Sequence, residues 1–202
     1  ISKGRVIPVL SGGYVEQEFH TFGKKLSDRA SAMEAIVPFL KQAWTGESFE
    51  YEGRQIRVTP CPFQKPHPPI FMGGASAPAA RRAARLADHF IPSQDQYWDI
   101  YRDERVALGK PDPGEAHQST GNACFVAEDP DAAWEVIAPH AMHEMRAYGE
   151  WAEAAGVKTG YRVVDSPEQL RASGDYPIYT PEQLVARVRA LGPAATVMLH
   201  PL

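Results

Sequence analysis

Apolar positions along this chain switch between short continuous runs and a spacing of three to four, and each switch marks a boundary between elements. Val6-Ile7-Pro8-Val9-Leu10 is a continuous run closed by Ser11-Gly12-Gly13, the pattern of a strand buried on both faces, although Pro8 argues against a fully central position. From Asp28 to Trp44, Met33, Ile36, Val37, Leu40 and Trp44 recur on one face of an amphipathic helix that Pro38 would kink and Gly46 ends. Phe49-Glu50-Tyr51 and Gln55-Ile56-Arg57-Val58 flank Glu52-Gly53-Arg54 and predict a hairpin. The segment from Cys61 to Pro69 is too rich in proline for helix or central strand, so it predicts a covering loop.

Strand and helix signals then alternate. Ile70-Phe71-Met72 predicts a strand ended by Gly73-Gly74, and Ser76 caps a helix whose small face is Ala80, Ala83, Ala84 and Ala87. Asp88 to Pro92 holds a third strand, Asp95 to Leu108 a helix, and Asn122 to Ala127 a fourth strand. Asp129 caps a long helix with Pro130 at its first position, on which Trp134, Ile137, Ala138, Ala141, Met145, Tyr148, Ala152 and Ala155 form a core stripe. Val157 to Tyr179 carries two glycines and three tyrosines with little periodicity and reads as an irregular excursion. Thr180-Pro181-Glu182-Gln183 is a capping box before a helix stopped by Gly192-Pro193, and Thr196 to Leu199 is the last strand. Five strands starting near Val6, Ile70, His89, Ala123 and Thr196 and alternating with helices predict parallel βα units. The class is α/β, in one domain over residues 1–202, and strands at both ends suit an incomplete barrel better than a finished open sheet.

Composition narrows the function. Over 202 residues, 44% hydrophobic and 23% charged is ordinary for a folded chain, and 21 basic against 25 acidic residues give a net charge of -4. Neither nucleic acid nor an anionic membrane attracts such a chain, which leaves small-molecule chemistry. The absence of a long apolar stretch or a leader pattern suggests a cytoplasmic protein. Cys61 and Cys124 lie far apart and are expected to be buried, inert thiols. The opening on Ile1, with no initial Met, suggests a segment of a longer protein.

In parallel α/β folds ligands sit beyond the carboxyl ends of the strands. Gly73-Gly74-Ala75-Ser76 is the strongest candidate there: glycines end a strand, Ser76 opens a helix, and free amides with the positive end of the helix dipole suit a phosphate. The same residues also suit a plain tight turn with an N-cap serine. Gly12-Gly13-Tyr14 would let a planar ring or polyol chain approach the backbone, with Tyr14 as a donor, or would simply be a turn with a packed tyrosine. His140, His143 and Glu144 have neither the HExxH nor the HxxEH order, so no metal is expected, and no GxSxG elbow or nucleotide-triphosphate loop is present.

Several motifs follow one another in order. Ser2-x-Gly4-Arg5, Gly13-Tyr14-x-x-x-Glu18-Phe19-x-x-Phe22-Gly23, Arg29-x-x-x-Met33-Glu34 and Trp44-Thr45-Gly46-Glu47 come first. Pro66-x-Pro68-Pro69-Ile70, Gly73-Gly74-x-Ser76 and Arg82-Ala83-Ala84-Arg85-x-Ala87-Asp88 complete the series. Over about the first 95 residues it resembles the luciferase-like flavin-dependent monooxygenases and oxidoreductases. The resemblance implies a (β/α)8 TIM barrel with FMN, or alternatively a deazaflavin, at the carboxyl ends of its strands. It places Gly73, Gly74, Ala75 and Ser76 in the flavin-phosphate loop and Tyr14, beside Gly13, at a position that contacts the flavin side chain. Because a full barrel takes about 250 residues, about five of the eight βα units would lie in this chain, the first strands preceding Ile1 and a closing helix following Leu202. His200, after the last strand, and His20, beside the Glu18-Phe19 turn, are the candidates to face the reacting ring. A small-molecule substrate, a flavin reductase or NAD(P)H as electron source, and a homo-oligomer complete the expectation. The alternative is a flavin-binding barrel remnant without catalysis.

Overall fold

The computed structural model describes residues 2–116, 123–192 and 196–200, and the chain divides into two compact units, residues 1–114 and 115–202. In the first unit β1 (Val9–Leu10) leads to α1 (Glu16–Thr21), a 3-10 turn at Leu26–Asp28 and α2 (Arg29–Ala43). β2 (Phe49–Tyr51) and β3 (Arg54–Ile56) then form an antiparallel hairpin, turned at Glu52 and Gly53 with both φ angles positive, at 49° and 74°. That pair of angles is what a two-residue hairpin turn requires, and glycine at its second place makes it inexpensive. β4 (Phe71–Gly74), α3 (Ala77–Leu86), β5 (His89–Pro92) and α4 (Gln96–Ala107) complete the unit.

The strand order is β1-β4-β5, all parallel, with Val9 opposite Phe71 and Phe71 opposite His89. Alternation along the pleat puts Met72 and Phe90 on one face, where both are buried, and leaves Val9 and Ile91 about half exposed (52% and 46%) on the other. Phe90 meets Tyr101 of α4 at a ring separation of 5.3 Å. Ala80, Ala83 and Ala84 are fully buried, so the small face of α3 lets the helix approach its neighbours closely. Its last carbonyls are held by cations: Lys110 Nζ donates to the Ala84 and Arg85 oxygens (2.7 Å each), and Lys41 Nζ to that of Leu86 (3.3 Å). Positive charge at a helix C-terminus is stabilising.

Two expectations change here. The first strand is only Val9–Leu10, and Val6 and Ile7 are exposed rather than buried on both faces. Among the described residues β1 pairs with β4 alone, and the carbonyls of Gly4 and Val6 are taken by the side-chain amide of Gln64 instead of a strand. Cys61 is exposed rather than buried, because its proline-rich segment lies on the surface, whereas Cys124 is buried.

The second unit contains β6 (Phe125–Val126), α5 (Pro130–Ala154), α6 (Pro167–Ser173), β7 (Ile178–Tyr179) and α7 (Pro181–Leu191). β6 and β7 are parallel, and Cys124 forms a further parallel bridge with Leu199. Asp129 caps α5 by accepting from the amides of Asp131 and Ala132 (3.0 Å each). Trp134, Ile137, Ala138, Ala141 and Met145 of α5 pack with Phe125, Val164, Leu170 and Tyr176, while Tyr148 stays exposed. The stretch 157–179 is not wholly irregular: it holds α6, capped by Ser166 and stopped by Gly174 in the left-handed region, and β7. A seven-residue helix and a two-residue strand are too short for periodicity to register. Among the described residues no helix is long and apolar enough to cross a membrane.

Candidate functional site

The parallel register brings the carboxyl ends of β1, β4 and β5 to one edge of the sheet of the first unit. A Cβ at Gly73 would run into Ser11 Oγ, and a Cβ at Gly74 would lie 2.6 Å from that of Ala79 and 3.3 Å from the Phe90 ring. Close approach by Ala79 and Phe90 therefore demands glycine at Gly74, whereas at Gly73 a turn of the Ser11 hydroxyl would relieve the contact. Beyond them, Ser76 Oγ accepts from the Ala79 amide at 3.4 Å, the N-cap contact that Ser76 predicts. The amides of Ala75 and Ser76 have no acceptor among the described residues, and that of Ala77, first in its helix, has none by helical geometry. Pro78 has no amide hydrogen, so these three donors remain for a ligand, together with the Ser76 hydroxyl proton. The loop is thus a capped turn whose outward donors suit an anion.

At the β1 end Gly13 has φ +70°, a left-handed conformation suited to glycine, and the Phe19 ring lies 3.1 Å from where its Cβ would stand. Arg29 donates from its guanidinium to the Gly13 carbonyl at 3.2 Å. Sequence reasoning named Arg29 only within a motif; being 16 positions from Gly13, it carries no local signal of this contact. Tyr14 is half-buried and held by neighbouring groups. His20 is exposed in the last turn of α1, directly after Phe19. Ser93, after β5, donates its amide to the Gly74 carbonyl (3.0 Å) and fixes the loop from the other side.

In the second unit the His200 amide donates to the Cys124 carbonyl (2.9 Å), and its ring stacks on Phe125 at 5.0 Å and 17°. Both rings border a cavity of about 310 Å³, also lined by Ile137, His140, Glu144 and Tyr176. The Tyr176 hydroxyl is buried with no hydrogen-bond partner among the described residues. Burial first, and then the negative charge of Glu144, push its pKa well above that of an ordinary tyrosine. His143 is exposed and outside the lining. Among the described residues no three histidine, cysteine or acidic side chains stand close enough to hold a metal ion.

Parallel βα units whose strands end together beside a glycine–serine loop define an α/β protein of the class in which ligands bind beyond the carboxyl ends of the strands. More particularly, the family model described as luciferase-like monooxygenase matches residues 1–195, and the chain belongs to that family. It is 31% identical over 96 residues to an FMNH(2)-dependent dimethylsulfone monooxygenase of Pseudomonas putida, a match covering 44% of this chain and 26% of that protein. Among solved structures it is similar to the oxygenating constituent of 3,6-diketocamphane monooxygenase from Pseudomonas putida in complex with FMN, at 18% identity and TM-score 0.58. That match covers 98% of this chain and 65% of the other. An F420-dependent secondary alcohol dehydrogenase in complex with an F420-acetone adduct matches at 16% identity and TM-score 0.55, over 96% of this chain and 64% of that one. The coenzyme F420-dependent tetrahydromethanopterin reductase of Methanopyrus kandleri does so at 17% and 0.55, over 99% and 70%. Likeness at these identities establishes the luciferase-like TIM-barrel fold. The chain spans about a quarter of the curated relative's length.

Proposed function

We propose that this chain is part of a flavin-dependent oxidoreductase, a monooxygenase that uses reduced FMN and oxygen on a small organic substrate. The observation that carries the reading is the cradle at Ala75–Ala77, with its unmatched amides at the strand edge, in a chain that belongs to the luciferase-like family. A deazaflavin is the alternative cofactor, since F420-dependent proteins share the fold. Reduced flavin supplies the electrons for oxygen activation, or a deazaflavin the hydride, and the protein's part is to bind, orient and shield. The amides of Ala75, Ser76 and Ala77 and the Ser76 hydroxyl would hold the phosphate, with Gly73 and Gly74 shaping the loop. Gly13, Tyr14 and Arg29 would line the neighbouring strand end. Of the two histidines, His20 is the better candidate for moving a proton at the ring, since it follows Phe19, which packs against Gly13. The His200 ring is committed to Phe125. About five of the eight βα units, a homo-oligomer, a cytoplasmic setting and electron supply from a flavin reductase or NAD(P)H belong to the same proposal.

Titration with FMN, alongside thermal melts, tests it. Losing a hydrogen bond to a charged group costs about 1.5–3 kcal/mol, so Ser76→Ala should weaken binding roughly ten- to a hundred-fold. Loss of the N-cap alone costs about 1 kcal/mol of stability and leaves affinity unchanged, an outcome that withdraws Ser76 as a phosphate ligand. Tight flavin binding with no coupled NAD(P)H turnover would favour the non-catalytic alternative.

A further inference from the structure

Of the two glycines that end β4, packing by Ala79 and Phe90 accounts for Gly74 but not for Gly73. Leu10 lies opposite Met72, so the next place along the register sets Ser11 beside Gly73, which in turn lies opposite Ile91. The pleat turns this row away from the face on which Met72 and Phe90 are buried, toward the side where Val9 and Ile91 are half exposed. There the Ser11 hydroxyl lies over β4, in the space that a Gly73 side chain would enter. Any larger residue at that position would make the hydroxyl turn aside. The chain itself makes no use of the arrangement, because Ser11 Oγ forms no hydrogen bond among the described residues.

The row's place along the strand says what the hydroxyl would meet. Gly73 precedes Ala75 by two residues, a rise of about 7 Å, so a phosphate held by the Ala75, Ser76 and Ala77 amides is out of hydrogen-bonding reach of Ser11. What adjoins the phosphate in FMN, and in a deazaflavin, is a chain of alcohol groups. A serine hydroxyl both donates and accepts, as an alcohol does, and complements such a chain whichever way each group turns. We propose that Ser11 is a specificity-determining residue that hydrogen-bonds the hydroxylated chain between phosphate and ring, with Gly73 holding the space for its side chain. The inference rests on the flavin reading of the strand edge.

The test compares two ligands on the 202-residue chain: FMN, and an isoalloxazine that carries its phosphate on a plain pentyl chain without hydroxyls. Binding is followed by quenching of flavin fluorescence, and thermal melts are recorded without ligand. Ser11→Ala should weaken FMN roughly three- to tenfold, the loss of one neutral hydrogen bond, and leave the affinity for the pentyl compound unchanged. Because Ser11 is exposed, the melting temperature should stay where it was. FMN affinity indifferent to Ser11→Ala, or an equal loss for both ligands, would overturn the inference while leaving the flavin reading in place. A wild-type chain that binds neither compound would overturn both.

Discussion

Two buried tyrosines, one in each unit, sit in opposite electrostatic circumstances. Tyr101 of the first unit is fully buried; its hydroxyl donates to the Asp88 carbonyl (3.4 Å) and accepts from Arg105 (3.3 Å), whose guanidinium also lies 5.6 Å from the ring centre. Burial raises its pKa, and the cation of Arg105 pulls part of that back. Tyr176 of the second unit is nearly as buried, has no hydrogen bond of good geometry among the described residues, and faces the carboxylate of Glu144 rather than a cation. The first is a finished core group, satisfied by strand and helix ends that the parallel sheet brings together. The second is buried beside a carboxylate, an arrangement that is costly for a phenol and unfavourable to its ionisation.

The largest effect that separates the two regions should come from truncation. Tyr101→Ala removes a ring packed on Phe90 and Trp98 and should cost about 3–5 kcal/mol. Followed by hydrogen exchange, protection should fall mainly across residues 70–108; equal loss in both units would break the contrast. Gly74→Val comes next, at about 1–3 kcal/mol, because the new side chain meets Ala79 and Phe90. Its melting temperature should drop with no flavin present, which would tie this glycine to packing as much as to phosphate.

Removing single hydroxyls sharpens the comparison. Tyr101→Phe should destabilise by about 1 kcal/mol, since two hydrogen bonds go, while Tyr176→Phe should be neutral or stabilising by up to about 1 kcal/mol, since an unmatched group goes. Denaturant midpoints measured on both would show opposite signs; matching losses would mean that Tyr176 has a partner in solution. The smallest effect is a pH dependence in the first unit. Arg102 pairs with Asp112 through two 2.7 Å hydrogen bonds, and with the Gly114 amide it lowers the Asp112 pKa to about 2. A depressed carboxylate stabilises fully above its unfolded value of about 3.9 and loses that contribution as pH falls toward 2. Asp112→Asn should flatten this part of the acid melting curve, and an unchanged curve would mean that the exposed pair contributes nothing measurable.

Much of this was legible in the linear chain because the signals were local. Ser76, Asp129 and Thr180 announce their helices by side chains that bond amides two or three residues on, and Ala80, Ala83 and Ala84 share a face by helical period alone. The candidate phosphate loop was legible for the same reason. Arg29 on the Gly13 carbonyl, and Gln64 on those of Gly4 and Val6, were not, since neither spacing has a local signature.

The α/β class, the helix starts, the hairpin and the glycine–serine turn follow from residue order, each a consequence of backbone freedom and capping within a few residues. Folding alone reveals that β1 pairs with β4 and leaves Val9 half exposed, that β7 pairs with β6 inside a stretch without periodicity, and that Glu144, Tyr176 and His200 border one cavity. Those outcomes depend on which distant segments come to lie side by side. Pairing and burial are properties of the contact, and no residue carries them alone.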